Sequence, residues 1–110
     1  MPHYACFVQE GQPAEAAQAP LCDGLRQLGR ELLGDPTDGV EIRWIPAEPG
    51  FGFTAGEPSH ASLVVRSVPV GFPQDRREAF MRRVCELWQR TTGCSADEIV
   101  VTAMDGPLPL

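Results

Sequence analysis

The sequence contains no lysine, because all nine of its basic residues are arginines. Catalysis through a lysine Schiff base or a P-loop lysine is therefore excluded. Positive charge is scarce overall, since nine bases face 15 acids and give a net charge of −6. A protein that binds the phosphate backbone of a nucleic acid normally carries the opposite sign, so we expect no nucleic-acid partner.

Long apolar runs and closely spaced cysteines are also missing. No stretch approaches the roughly 20 apolar residues of a membrane span, and the start lacks the basic and apolar regions of a signal peptide. We therefore expect a cytoplasmic protein without a membrane partner. The four cysteines have no CxxC spacing, so we interpret them as reduced packing thiols and expect neither a metal site nor a cofactor.

The apolar residues predict the order strand, helix, strand twice within 110 residues, a length typical of one domain. The first unit is expected at 4–9, 13–33 and 40–45, and the second at 61–69, 73–92 and 99–104. We place the two halves at about 2–46 and 61–104.

Pro20 indicates that the first helix either starts there or kinks. The Pro- and Gly-rich residues 46–59 predict a loop or a short hairpin, and the run Leu63-Val64-Val65 predicts a strand covered on both faces.

The two halves match at a fixed offset of 59 residues, which indicates a tandem repeat. The offset carries seven apolar or turn-forming positions onto similar ones: Leu21, Leu25, Leu28, Gly34, Asp38, Val40 and Ile42 match Phe80, Val84, Leu87, Gly93, Asp97, Ile99 and Val101. Tyr4 falls on Leu63. Two such units predict an α+β fold, with a four-stranded sheet and both helices on one face. The other face is left bare, so we expect the chain to associate with copies of itself.

The Met-Pro start, a first strand followed by Glu-Gly and the doubled β-α-β order resemble the tautomerase superfamily. This group includes 4-oxalocrotonate tautomerase, macrophage migration inhibitory factor, the chloroacrylic acid dehalogenases and malonate semialdehyde decarboxylase. The segments that carry the resemblance are PHYACFVQEGQ, GVEIRWIPAEPGFGFTAGE, SLVVRSVPVGFPQDRREAF and GCSADEIVVTAMD. The resemblance implies a homotrimer whose sheets face inward.

The resemblance also implies that Pro2, freed by removal of Met1, is the catalytic group. A terminal amine has a reference pKa near 8, and an apolar pocket or a nearby arginine lowers it. A neutral amine can take a proton from the carbon beside a carbonyl and return it elsewhere. A protonated amine would instead serve as a general acid in the hydration of an unsaturated acid. If Met1 is retained, the nitrogen of Pro2 is an amide and no base.

Two arginines are candidates for binding a substrate. Arg43 lies near the strand position where the resemblance implies a carboxylate-binding arginine, and the alternative is a salt bridge with Glu41 or a neighbour. Arg66 stands inside an apolar run and needs a partner, so it is either a site residue or part of an interface ion pair.

Three aromatic residues complete the candidate site. Tyr4 either donates a hydrogen bond to a substrate oxygen or packs. The resemblance implies a place in the pocket wall for Phe51 and Phe53.

The sequence departs from the family where charged groups are concerned. Gln12 stands where the tautomerase has an arginine, residues 70–73 carry no charge where the decarboxylase and dehalogenases have paired arginines, and Gly29 stands where the dehalogenase has a histidine. The substrate is then less charged, or it is held by other groups.

We expect a tautomerase or isomerase of a small conjugated keto, enol or carboxylate compound. The alternatives are a hydratase, dehalogenase or decarboxylase, and a non-catalytic ferredoxin-like binding module.

Overall fold

Two β-α-β units follow each other along the chain. The structure, a computed structural model, describes residues 3–13 and 15–108. Its elements are β1 (His3–Gln9), α1 (Glu15–Leu28), β2 (Glu41–Ala47), β3 (Phe53–Thr54), β4 (Glu57–Pro58), β5 (Ser62–Val68), α2 (Gln74–Thr92) and β6 (Ile99–Asp105). A π-helical turn, Gly29–Leu33, extends α1, and a 3-10 turn, Ala96–Glu98, precedes β6. The predicted order of elements is confirmed. The observed ends of most strands differ from the predicted ends by one or two residues.

The four long strands form one mixed sheet in the order β2-β1-β5-β6. β1 pairs with β2 and β5 pairs with β6 in parallel, as the two crossover helices require. The two units meet at the antiparallel pair β1–β5, where Tyr4 lies opposite Arg66 and Cys6 lies opposite Val64. The segment between the units folds into the small β3–β4 hairpin.

Both helices pack on the same face of the sheet. The apolar stripes predicted for them are buried, and they form a single cluster with alternate residues of the strands. The buried members of this cluster are Tyr4, Cys6, Val8, Leu21, Leu25, Leu28, Val40, Val64, Val68, Phe80, Val84, Leu87, Trp88, Ile99 and Ala103. The α+β architecture with both helices on one face is therefore confirmed.

No described helix covers the opposite face. Val100 and Met104 of β6 are 51% and 39% exposed, and Leu63 and Val65 of β5 are half-buried. The prediction that β5 is covered on both faces is wrong for the single chain, because the helices meet only the side that carries Val64. The face defined by Leu63, Val65, Val100 and Met104 is called the open face below.

The tandem repeat holds for the helices and for β2 and β6, but it fails in the first strands. Tyr4 faces the helices, whereas Leu63 lies on the open face, and the fully buried Val64 shares the side of Tyr4. The expected match of Tyr4 with Leu63 is therefore wrong, because a shift of one residue moves a side chain to the other face of a strand.

Helix α1 runs through Pro20, which excludes the first of the two alternatives, a helix that starts at this residue. Proline lacks the N–H that would bond to the carbonyl of Ala16. Ala16 and Pro20 are both exposed, and water can therefore take the place of the missing bond. Neither described helix is long and apolar enough to cross a membrane.

Candidate functional site

A cleft of about 410 Å³ lies at the end of the sheet where β5 ends. Its walls come from residues 33–36 after α1, residues 66–69 at the end of β5, and residues 106–107 after β6. Tyr4, near the start of β1, pairs with Arg66 in the cleft wall. The cleft therefore joins both units at the end of the sheet from which β1 starts.

A buried ion pair lines this cleft. Arg66 donates two hydrogen bonds of 2.6 Å to the two carboxylate oxygens of Asp35, and its Nε donates to the carbonyl of Ser67 at 2.8 Å. The side chains of Arg66 and Asp35 are only 2% and 4% exposed. Burial alone would lower the pKa of Arg66, but the hydrogen-bonded Asp35 carboxylate and the Tyr4 side chain together raise it above its usual value. Arg66 is therefore a permanent cation with a fixed geometry.

Tyr4 supports the pair from the core. The guanidinium carbon of Arg66 lies 4.8 Å from the centre of the Tyr4 ring, a cation–π distance. The Tyr4 hydroxyl donates to the carbonyl of Leu25 at 2.8 Å. Burial raises the pKa of Tyr4 to about 12, although Arg66 partly opposes this shift. Of the two interpretations of Tyr4, the structure favours packing, because its hydroxyl proton is already engaged.

The end of helix α1 brings Asp35 to Arg66. The helix widens into the π-helical turn and stops at Gly34, whose φ of 73° is the left-handed conformation that glycine favours. The amide of Asp35 then donates to the carbonyl of Gly29 at 3.1 Å. A Cβ on Gly29 would collide with the Asp35 carboxylate and lie 3.1 Å from the Tyr4 hydroxyl oxygen. A glycine at position 29 is thus required for the carboxylate to reach Arg66.

The sequence predicts that the first helix ends at residue 33 but assigns no role in a site to Asp35 or to Gly29. The available signal was the charge of Arg66 inside an apolar strand, which required a partner. That partner is Asp35 of the same chain, so the charge of Arg66 does not require the alternative of an ion pair across an interface. Arg66 as a site residue stays a prediction.

Arg43 lies apart from Arg66. Its side chain is 56% exposed and bonds to Glu41 at 3.2 Å. It alternates with Ile42 and Trp44, which pack against the core on the helix side, and so it lies on the other face of the sheet. The sheet thus separates the two candidate arginines of one chain.

Phe51 and Phe53 do not line the cleft of their own chain. Phe51 and Phe53 belong to the hairpin segment and are 77% and 63% exposed. Pro2 lies outside the described residues.

A second cleft, of about 340 Å³, contains residues 92–94, the repeat equivalents of residues 33–35 in the first. The offset of 59 residues carries 33–35 onto 92–94, so that Cys94 stands where Asp35 stands in the first cleft. His60 is in its wall, and no arginine lines it among the described residues. The halves are therefore similar in backbone and different in chemistry.

The chain was compared with known proteins by sequence and by structure. No protein-family model matches the sequence, and no curated protein is significantly similar to it. Several solved structures match nearly the whole chain. Ps01740 is 27% identical with a TM-score of 0.89, and the match covers 96% of this chain and 94% of that one. The fused 4-OT Q0, a symmetric trimer, is 18% identical with a TM-score of 0.84, covering 96% and 85%.

A third structure shows Pt0534 inactivated by 2-oxo-3-pentynoate; it is 21% identical with a TM-score of 0.84, and the match covers 96% of this chain and 85% of Pt0534. The chain has the fold of the tautomerase superfamily. The resemblance is therefore confirmed at the level of the fold, together with the doubled β-α-β architecture. These identities do not determine the activity, which has to be argued from the cleft.

Proposed function

We propose that this tautomerase-fold protein is a tautomerase or isomerase of a small conjugated carbonyl compound. Pro2, freed by removal of Met1, is the general base in this proposal. The observation that carries it is the cleft beside the start of β1. Tyr4 pairs with Arg66, and the next residues of β5 form the cleft wall. The proposal requires the nitrogen of residue 2 to reach this cleft, and two residues of chain from Tyr4 span at most about 7 Å.

Two groups have different roles in the proposed reaction: the amine of Pro2 transfers the proton, and the guanidinium of Arg66 stabilises the oxygen. A neutral secondary amine removes a proton from the carbon next to the carbonyl, and the oxygen gains negative charge as the enolate forms. Arg66, held rigid by Asp35 and Tyr4, supplies N–H donors for that oxygen. The amine then returns the proton to another atom of the conjugated system, so no proton is gained or lost. In this proposal Arg66 stabilises the charge that develops on the oxygen, and Pro2 transfers the proton.

Intact mass and enol ketonisation test this proposal. The mass should lack Met1, and the enol of phenylpyruvate should ketonise at least about 100-fold faster with the wild type than with Pro2→Ala, as expected for loss of a general base. Pro49→Ala, which alters an exposed proline outside the cleft, is the control and should keep full activity. A retained Met1, or equal rates for wild type and Pro2→Ala, would refute the proposal.

Covalent labelling supplies an independent test. The compound 2-oxo-3-pentynoate, which inactivates Pt0534, should add to the nitrogen of Pro2 if this amine is neutral and accessible. Peptide mapping should then find the added mass on residue 2. Labelling elsewhere with residue 2 unmodified would contradict the assignment.

We further propose that the chain forms a homotrimer through its open face. The fused 4-OT Q0 is a symmetric trimer of the same fold, and an exposed apolar sheet face favours association. Arg43, Phe51 and Phe53 stay candidates for substrate binding only if a neighbouring subunit brings them to the cleft, since none of them lines it within one chain.

A further inference from the structure

The charge of the cleft is balanced within its own wall. Among the described residues, Asp35 and Arg66 are the charged side chains that line it, and their charges cancel. The other described lining residues are apolar or small and neutral, such as Leu33, Val68 and Ser67. A ligand that enters this cleft therefore meets a buried ion pair with no excess positive charge.

The geometry of Arg66 also leaves no fork for a carboxylate. A guanidinium binds a carboxylate best through two parallel N–H bonds, and both terminal nitrogens of Arg66 already bond to Asp35 at 2.6 Å. A second carboxylate would have to displace Asp35 or share the guanidinium with it. Because both side chains are nearly fully buried, either arrangement leaves a poorly compensated negative charge in a place of low polarity.

Other cations near the cleft are engaged as well. Arg77 donates to the carbonyl of Ala103 and to the Asp105 carboxylate, at 2.6 Å each. Arg76 donates to the carbonyl of Leu32 and lies over the Phe72 ring. Neither Arg76 nor Arg77 lines the cleft. The net charge of −6 further lowers the local concentration of anions.

We infer that the cleft selects an uncharged conjugated carbonyl compound, such as a ketone, an aldehyde or an ester, over the corresponding carboxylate. The inference rests on the proposed function and specifies the substrate class of its site. A carbonyl oxygen needs a single donor, and Arg66 can supply one because a guanidinium has five N–H bonds. Three of these are given to Asp35 and Ser67. Asp35 thereby acts as a positioning and specificity residue, since it fills the place a substrate carboxylate would take.

A pair of substrates that differ by one negative charge and one methyl group tests the inference. The enol of phenylpyruvate carries a carboxylate, and the enol of its methyl ester does not. The wild type should show at least a tenfold higher kcat/KM for the ester. Equal values, or a preference for the acid, would overturn the inference.

The variant Asp35→Asn removes the internal competitor. It should raise the ratio of kcat/KM for the acid to kcat/KM for the ester at least tenfold, because it frees the charge of Arg66. The control is Asp38→Asn, which removes the same charge from an exposed position outside the cleft. It should leave the ratio of the two substrates unchanged. A folded Asp35→Asn protein whose acid-to-ester ratio equals that of the wild type would contradict the role of Asp35.

Binding without catalysis separates this inference from the proposed function. Phenylacetate and methyl phenylacetate can be titrated into the wild type while the amide NMR signals of Ser67 and Val68 are followed. Tighter binding of the ester supports the inference even if Pro2→Ala retains full activity, a result that would refute only the proposed mechanism. Tighter binding of phenylacetate overturns the inference even if Pro2 proves to be the base. These measurements also decide the question if Asp35→Asn does not fold.

Discussion

Arg66 and Asp35 are held together by two hydrogen bonds of 2.6 Å although 31 residues separate them in the chain. Asp35 follows the helix of the first β-α-β unit, and Arg66 lies on the first strand of the second unit. The pair therefore connects the two halves of the fold at the cleft. Tyr4, from the start of β1, places its ring against the guanidinium of Arg66. Three separate segments of the chain therefore contact one another at this pair.

Removal of one partner should reveal the cost of an unpaired buried charge. Asp35→Ala is expected to lower the free energy of unfolding by about 3–5 kcal/mol, because Arg66 would be left without its counter-ion. The double variant Asp35→Ala/Arg66→Met should be more stable than the single variant, since both charges are absent. Urea denaturation at one fixed protein concentration measures both. Asp38→Ala, which changes an exposed carboxylate, is the control and should shift stability by less than about 0.5 kcal/mol. A loss of below about 1 kcal/mol in Asp35→Ala would show that the pair is not maintained in solution.

Gly29 should tolerate no side chain. In Gly29→Ala the new methyl group would collide with the Asp35 carboxylate, and overpacking of this kind typically costs about 1–3 kcal/mol. Gly24→Ala in helix α1 is a matched comparison, because its Cβ would meet the flexible side chain of Leu87, with the two methyl carbons at 2.6 and 2.7 Å and Cγ at 3.2 Å. Alanine also has the higher helix propensity, which offsets part of that contact. Denaturation curves should therefore rank Gly29→Ala below Gly24→Ala, and the reverse order would contradict the packing described at Gly29.

Tyr4 should make stability fall at alkaline pH. Its pKa is about 12 in the folded chain and 10.0 when exposed, so the folded state holds the proton more tightly. The resulting contribution is complete below pH 10 and is lost as the pH rises from 10 towards 12. It amounts to about 3 kcal/mol at most, at 1.4 kcal/mol per pH unit.

The variant Tyr4→Phe isolates this effect. At pH 7 it should be less stable than the wild type by about 1 kcal/mol, because the bond to Leu25 is lost. Between pH 10 and 12 the difference should shrink and then reverse, since the wild type loses up to about 3 kcal/mol there and phenylalanine has no proton to lose. Cys6, whose pKa burial also raises to about 12, is present in both proteins and cancels in the comparison. Parallel stability curves over this pH range would contradict the burial of the Tyr4 hydroxyl.

The helices could be predicted from the sequence, but the faces of the first strands could not. Leu25 in α1 and Val84 in α2 each belong to a row of apolar residues with helical spacing. Such a row identifies the buried side of its helix directly. In β5 the run Leu63-Val64-Val65 is apolar throughout, and it therefore has no alternation to show which residues meet the helices. Only the packed structure shows that Val64 faces the core.

The sequence predicts that Arg66 needs a partner, but not that the partner is Asp35. The charge of Arg66 within an apolar strand indicates that a partner exists, but Gly34 and Pro36 on either side of Asp35 indicate only that a helix ends there. The conformation of Gly34 and the space left at Gly29 decide where the carboxylate goes. Contacts of this kind depend on the meeting of distant segments, which residue spacing does not encode.

The open face should govern assembly. Val100 is 51% exposed on this face, and burial of an aspartate carboxylate in a subunit interface is unfavourable unless it is paired. Val100→Asp should therefore convert the proposed trimer to monomers, as measured by size-exclusion chromatography with light scattering. Val70→Asp introduces the same charge at a position that is 81% exposed and lies in the turn after β5, so it should remain trimeric. If Val100→Asp keeps the wild-type mass while Val70→Asp dissociates, the subunits meet through the loop end of the molecule, and the open face has to be covered in another way.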